Sequence, residues 1–192
     1  MFDPPHLGHL ILATEAAWQL RLDEVRLVVC ARPTHRRGSW LAPEARLRLV
    51  ERAVAGSPAL RMSRAEVDRP GPSFTVDTLE AFAREEPGAS LWLVMGADQL
   101  RDFARWRAPE RIVELARIAA VAREGEDPAE GLSVPDVAHG RVDRVHMPAI
   151  GVSSSMIRGR IDAGEPVGHL LPPGVGEALA GEGLSVRLSA IP

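Results

Sequence analysis

Leu91-Trp92-Leu93-Val94-Met95, apolar from end to end and closed by Gly96, is the stretch that most narrows what this chain can become. A strand apolar on both faces must be covered on both faces, which is the environment of a parallel sheet flanked by helices. Ile118-Ala119-Ala120-Val121-Ala122 makes the same demand. Further strand-like runs extend over Val25 to Ala31, Leu60 to Val67 and Arg144 to Met147. Helical spacing covers Leu7 to Leu20, Pro43 to near Gly56, a segment carrying Val76, Leu79, Ala81 and Phe82 with Ser73 as its cap, and Ile112 to Leu115. Strands and helices therefore alternate, and the pattern predicts an α/β fold with a doubly wound parallel sheet. The chain suits a single domain, 1–192, with a small helical C-terminal part from about residue 153 and a glycine-interrupted helix after Leu170.

The chemistry begins at the first of those helices. Phe2-Asp3-Pro4-Pro5-His6-Leu7-Gly8-His9-Leu10 sets two histidines three apart beside a glycine, where the prolines end and helical spacing starts. A helix start offers free backbone N–H groups and a positive dipole, both suited to phosphate. His-x-Gly-His at that position reads as a phosphate clamp. Asp3 serves either as a helix cap or as a ligand group. A metal site at the two histidines finds no third ligand nearby in sequence. Far downstream, Ser153-Ser154-Ser155-Met156-Ile157-Arg158 lines up three hydroxyls at a second helix start with an arginine one turn on. Alone it is a cap; hydroxyls, N–H groups and a guanidinium together can also wrap phosphate oxygens.

Composition removes several chemistries. The chain has no lysine, asparagine or tyrosine, which excludes a lysine Schiff base, a P-loop lysine and a tyrosine acid. With 23 basic and 26 acidic side chains the net charge is −3, and no polyanion-binding surface is advertised. Cys30, the only cysteine, sits in an apolar run and is expected to be buried and inert. No apolar segment is long enough to span a bilayer and no leader is evident, so a cytoplasmic setting is expected. Trp18 and Trp92 lie in apolar runs and are expected in the core. Trp106, flanked by Arg105 and Arg107, is either a lid on the core or a stacking surface.

Taken together, Phe2-Asp3-Pro-Pro-His-x-Gly-His and Ser-Ser-Ser-x-Ile-Arg resemble the motifs of the nucleotidylyltransferase superfamily. Pro72-Ser73-Phe74-Thr75-Val76-Asp77-Thr78-Leu79 and Gly96-Ala97-Asp98-Gln99-Leu100, with Phe103 and Trp106 beyond, are similar to segments of bacterial nicotinate-nucleotide adenylyltransferases. The resemblance runs from Phe2 to about Leu184. It implies a Rossmann-like sheet, ATP and nicotinate mononucleotide as partners, Mg2+ carried with ATP, and no role for nucleic acid or membrane; homo-oligomer formation stays open. It implies His9, His6 and Arg158 as catalytic groups. Phe2, His6, His9, Gly96, Asp98, Arg123, Ser153, Ser154, Ser155 and Arg158 would bind ATP, with Asp98 on the ribose and Arg123 beside the adenine. Asp3, His35, Thr75 and Trp106 would bind the second substrate, Trp106 by stacking on the nicotinate ring.

This chain departs from the family pattern at Pro33-Thr34-His35-Arg36-Arg37, where lysine is usual, at Phe74 for tyrosine and at Ser155 for threonine. A Rossmann-like sheet also places a strand and a glycine turn just before the histidine motif, at the point where ligands bind. Nothing precedes Met1, so the sheet is expected to lack its first strand, and the start at Met1 is expected to be later than the functional one. Transfer to nicotinamide mononucleotide or phosphopantetheine, and nucleotide binding without turnover, remain the competing readings.

Overall fold

A computed structural model describes residues 1–33, 38–123 and 134–189. In chain order the elements are α1 (Leu7–Leu20), β1 (Val25–Val28), α2 (Pro43–Val54), β2 (Leu60–Ser63), α3 (Thr75–Glu85), β3 (Leu91–Gly96), α4 (Ala97–Arg101), α5 (Pro109–Leu115), β4 (Ala116–Arg123), β5 (Val142–Met147), α6 (Ser154–Asp162) and α7 (Val175–Gly181). All strand pairs are parallel, in one sheet of order β1-β2 and one of order β3-β4-β5. The α/β alternation read from the sequence is therefore the observed fold. Residues 1–6 form no strand ahead of α1. Among the described residues no helix is long and apolar enough to cross a membrane.

The chain divides into two compact units. The first comprises Met1–Thr14, Asp23–Pro72 and Ile150–Pro192. Its core gathers Leu41, Ala45, Leu49 and Ala53 with Ile157 and Ile161 of α6, then Val167, Leu171, Val175 and Leu179. Helix α2 contributes through its 3.6-residue period, opened by Pro43, which has no N–H to leave orphaned at that position. Arg48 of α2 clasps Glu182 with both carboxylate oxygens engaged, at 2.7 and 2.9 Å.

The second unit comprises Glu15–Leu22 and Ser73–Ala149. Strand β4 lies between β3 and β5, in register Leu91↔Ala116 on one side and Ile118↔Val142 on the other. Ile118, Ala119 and Ala120 are fully buried, as a strand covered on both faces requires. Val76 and Leu79 of α3, Met95, Leu100, Phe103 and Ile112 complete this core. Arg117 grips Asp143 across the sheet at 2.6 and 2.8 Å, and the Trp92 indole N–H donates to the same carboxylate at 2.9 Å. That pair raises the affinity of Arg117 for its proton and lowers that of Asp143.

Three sequence expectations are corrected. Trp18 is 80 % exposed, because the buried face of α1 is built from Ala13, Ala16 and Ala17, and Trp18 lies one residue, about 100°, beyond it. Ser73 does not cap α3: Phe74 holds the cap position in extended conformation, and no side-chain cap is made. Cys30 is half-buried rather than buried. Strand ends also moved inward, β1 stopping at Val28 and β2 at Ser63.

Candidate functional site

The first unit assembles its chemistry at the start of α1. Leu7 is the first helical residue, so His6 stands at the cap position and His9 on the third helical residue. The His9 N–H donates to the His6 carbonyl at 2.9 Å, and the His6 N–H donates back to His9 Nδ1 at 3.1 Å. This is the reciprocal logic of a capping box, with an imidazole in the place of a carboxylate. The two rings stack with centroids 3.7 Å apart at 30°, and Phe2 meets His9 edge-on at 4.9 Å. A Cβ at Gly8 would stand 3.1 Å from both Cε1 and Nδ1 of His6, so glycine there leaves the ring its room.

Burial and stacking keep both histidines neutral. His6 is 7 % exposed, and burial, helped by the N-terminal ammonium, lowers it to about 4. Burial lowers His9 to about 2, with His6 and the N-terminus adding to the effect. Because Nδ1 of His9 accepts a hydrogen bond, the ring proton sits on Nε2. His9 is thus a neutral imidazole with its Nε2–H available as a donor.

The serine helix is tied to this segment from more than a hundred residues away. Ser154 Oγ donates to the Pro4 carbonyl at 2.9 Å, and Arg158 Nη1 donates to the Asp3 carbonyl at 2.7 Å. Ser153 Oγ caps α6 by accepting from the Met156 N–H at 3.2 Å. Arg158 Nη2 donates to Ser155 Oγ at 3.2 Å, which orients the guanidinium along its own helix. Asp3, 3 % exposed, does not cap α1. Its carboxylate accepts from the backbone N–H groups of Trp40 at 2.7 Å and Leu41 at 3.0 Å, and so fixes the approach to α2. Phe2, Asp3, His6, His9, Ser153, Ser154, Ser155 and Arg158 are therefore brought together. His35 lies outside the described residues.

Sequence reading overlooked Arg46. It is 0 % exposed and donates to the carbonyls of Leu41 at 3.2 Å, Met1 at 3.2 Å and Cys30 at 2.6 Å. One side chain thereby joins the residue before Phe2, the end of the β1 segment and the loop that holds Asp3. The signal was present: Arg46, Leu49, Val50 and Ala53 share one helical stripe, so a charge stands on the buried face of α2.

The remaining candidates belong to the second unit. Gly96 ends β3, and a Cβ on it would lie 2.7 Å from Asp98 Oδ1, so glycine lets that carboxylate fold back over the strand end. Asp98 is exposed, in the first turn of α4. Thr75 opens α3. The half-buried Trp106 follows a 3-10 turn over Phe103–Arg105, and its ring leans on Phe103 at 5.7 Å and 55°. Arg123 ends β4, opposite Met147 in the ladder.

Within the first unit, two helix starts set around paired imidazoles present the kind of N–H groups that suit phosphate. The chain matches the cytidylyltransferase-like family over residues 1–160 and belongs to it. It is 43 % identical over 175 residues to a Thermus thermophilus protein, covering 91 % of this chain and 89 % of that one. It is 37 % identical over 192 residues to one from Corynebacterium jeikeium, covering 96 % of each. Both carry the description "Probable nicotinate-nucleotide adenylyltransferase", so within the family the chain stands among the nicotinate-nucleotide adenylyltransferases. Two structures of the Plasmodium falciparum nicotinic acid mononucleotide adenylyltransferase, complexed with APC and with NaAD, share the fold at TM-scores of 0.72 and 0.74. Each is 14 % identical; they cover 96 % of this chain, and it covers 92 % and 93 % of theirs.

Proposed function

We propose that this protein transfers the adenylyl group of ATP to nicotinate mononucleotide, forming nicotinate adenine dinucleotide and pyrophosphate in NAD biosynthesis. The observation that carries the reading is the attachment of the serine helix to the histidine segment. Ser154 and Arg158 donate to the carbonyls of Pro4 and Asp3, which sets the start of α6 and its guanidinium beside the histidine segment. Imidazole N–H, guanidinium and α6 amides, three kinds of donor in one unit, suit the oxygens of a polyphosphate.

In this reaction a phosphate oxygen of the mononucleotide attacks the α-phosphorus of ATP. The bond from that phosphorus to the bridging oxygen breaks, and pyrophosphate leaves with the electron pair. The attacking phosphate is already anionic, so no base is required. His9 Nε2–H donates to a phosphate oxygen as charge grows on the leaving group, its proton held on Nε2 because Nδ1 accepts from the His6 N–H. Arg158 supplies fixed charge, and Ser153 and Ser155 line the α6 start. Mg2+ carried on the ATP phosphates would share in neutralising that charge. In the second unit we assign Asp98 to the ribose, Arg123 to the adenine, and Thr75 and Trp106 to the pyridine ring. The substrates are soluble nucleotides, and we assign the reaction to the cytoplasm.

The test is pyrophosphate release with ATP and Mg2+, comparing nicotinate mononucleotide, nicotinamide mononucleotide and phosphopantetheine. Strong release with the first alone is expected. Release with only another acceptor reassigns the substrate, and ATP binding without release from any acceptor removes the catalytic assignment.

A further inference from the structure

We propose that Arg107 is the specificity-determining residue for the acceptor. Its guanidinium favours a pyridine ring bearing a carboxylate over the same ring bearing a carboxamide. The inference rests on the transfer to a pyridine mononucleotide proposed above and concerns which ring that transfer accepts.

Arg107 directly follows Trp106, and its Cζ lies 4.4 Å from the centroid of the Phe74 ring. Phe74 in turn directly precedes Thr75 at the start of α3. The cation is thus held against the residues assigned to the acceptor ring, by stacking that costs it none of its N–H groups. Its ion-pair partner is Asp77, with Nη1 3.8 Å from Oδ2, beyond hydrogen-bond range. Two other arginines of this unit are committed: Arg117 to both oxygens of Asp143, and Arg111 to Glu80 and Glu114. Arg107 makes no hydrogen bond to any described residue, so its planar fork of donors is intact for a carboxylate. Arg105, on the other side of Trp106, is 87 % exposed and pairs only with Asp102 at 3.6 Å.

The backbone fixes this presentation. Ala108, immediately after Arg107, is left-handed at φ 49° and ψ 59°, and the buried Pro109 then opens α5. A side-chain-bearing residue in that conformation is held there by its surroundings, and such positions gather beside functional groups. Chemically, the two ring substituents are nearly the same shape and differ in charge. A cation therefore discriminates between them where packing cannot.

The experiment measures kcat/KM for nicotinate and nicotinamide mononucleotides in the wild type, Arg107→Gln and Arg107→Lys. Arg107→Gln is expected to lower the nicotinate-to-nicotinamide ratio about two- to fivefold, the scale of an exposed charge pair, with KM for ATP unmoved. Arg107→Lys, which keeps the charge but not the planar fork or the stacking, is expected to lower the ratio less than Arg107→Gln does. An unchanged ratio in active Arg107→Gln, or an equal fall in both variants, overturns the inference alone. A wild-type chain that releases no pyrophosphate with nicotinate mononucleotide overturns the functional reading, and the inference with it.

Discussion

Acidification should unfold this protein through its stacked histidines, and the His6→Gln variant isolates that contribution. A histidine whose folded pKa lies below its unfolded value folds neutral, so the unfolded state binds more protons. Its contribution to stability is therefore intact above the unfolded value and is lost as pH falls below it. For His6 the window runs from 6.5 down to about 4. Within that window the loss approaches about 1.4 kcal/mol per pH unit, so going from pH 7 to pH 4.5 should cost about 2 kcal/mol. Other groups titrate over the same range, but they do so in both proteins. Urea unfolding at a series of pH values yields the stability difference between wild type and His6→Gln. That difference should shift against the wild type by about 2 kcal/mol over this span. A difference that stays flat with pH would refute the reasoning, since it would mean that His6 is not excluded from protonation by folding.

Three further outcomes follow from the geometry. His9→Ala should lower kcat by about two to three orders of magnitude with little change in ATP affinity, as expected for a donor acting on charge that develops late; steady-state kinetics with varied ATP reads the split. Arg46→Met should cost at least about 3 kcal/mol in urea unfolding, because the carbonyls of Met1, Cys30 and Leu41 lose their donor while remaining in the interior; a loss below about 1 kcal/mol would show those contacts to be immaterial. Gly168→Ala should lower the melting temperature, at a cost of about 1–3 kcal/mol, since its Cβ would stand 2.2 Å from the Leu188 carbonyl oxygen of the C-terminal segment.

Much of the local structure was written in the periodicity. Leu7–Leu20 and Leu91–Gly96 appear with the bounds their spacing implied, because helix and strand periods are properties of neighbouring residues. That His6 and His9 share one side was also legible, since residues three apart on a first turn are neighbours, but the stacking of their rings was not. Capping was less so. Ser153 does cap α6, whereas Ser73 is passed over for Phe74, and a serine before a helix does not reveal where its first turn closes.

The sequence by itself determined the residue types at the site and excluded lysine and tyrosine chemistry. It also determined the strand–helix alternation that puts charged turns at strand ends. Only the tertiary structure decided what those side chains do. The Asp3 carboxylate fastens the Trp40–Leu41 backbone, Ser154 and Arg158 fasten the carbonyls ahead of His6, and Arg46 joins three segments as a buried cation. Trp18 faces solvent although its composition argued for the core. The physical reason for these contacts is shared. Hydrogen bonds between residues 16 to 155 positions apart depend on how packed elements meet, and no local period records that meeting.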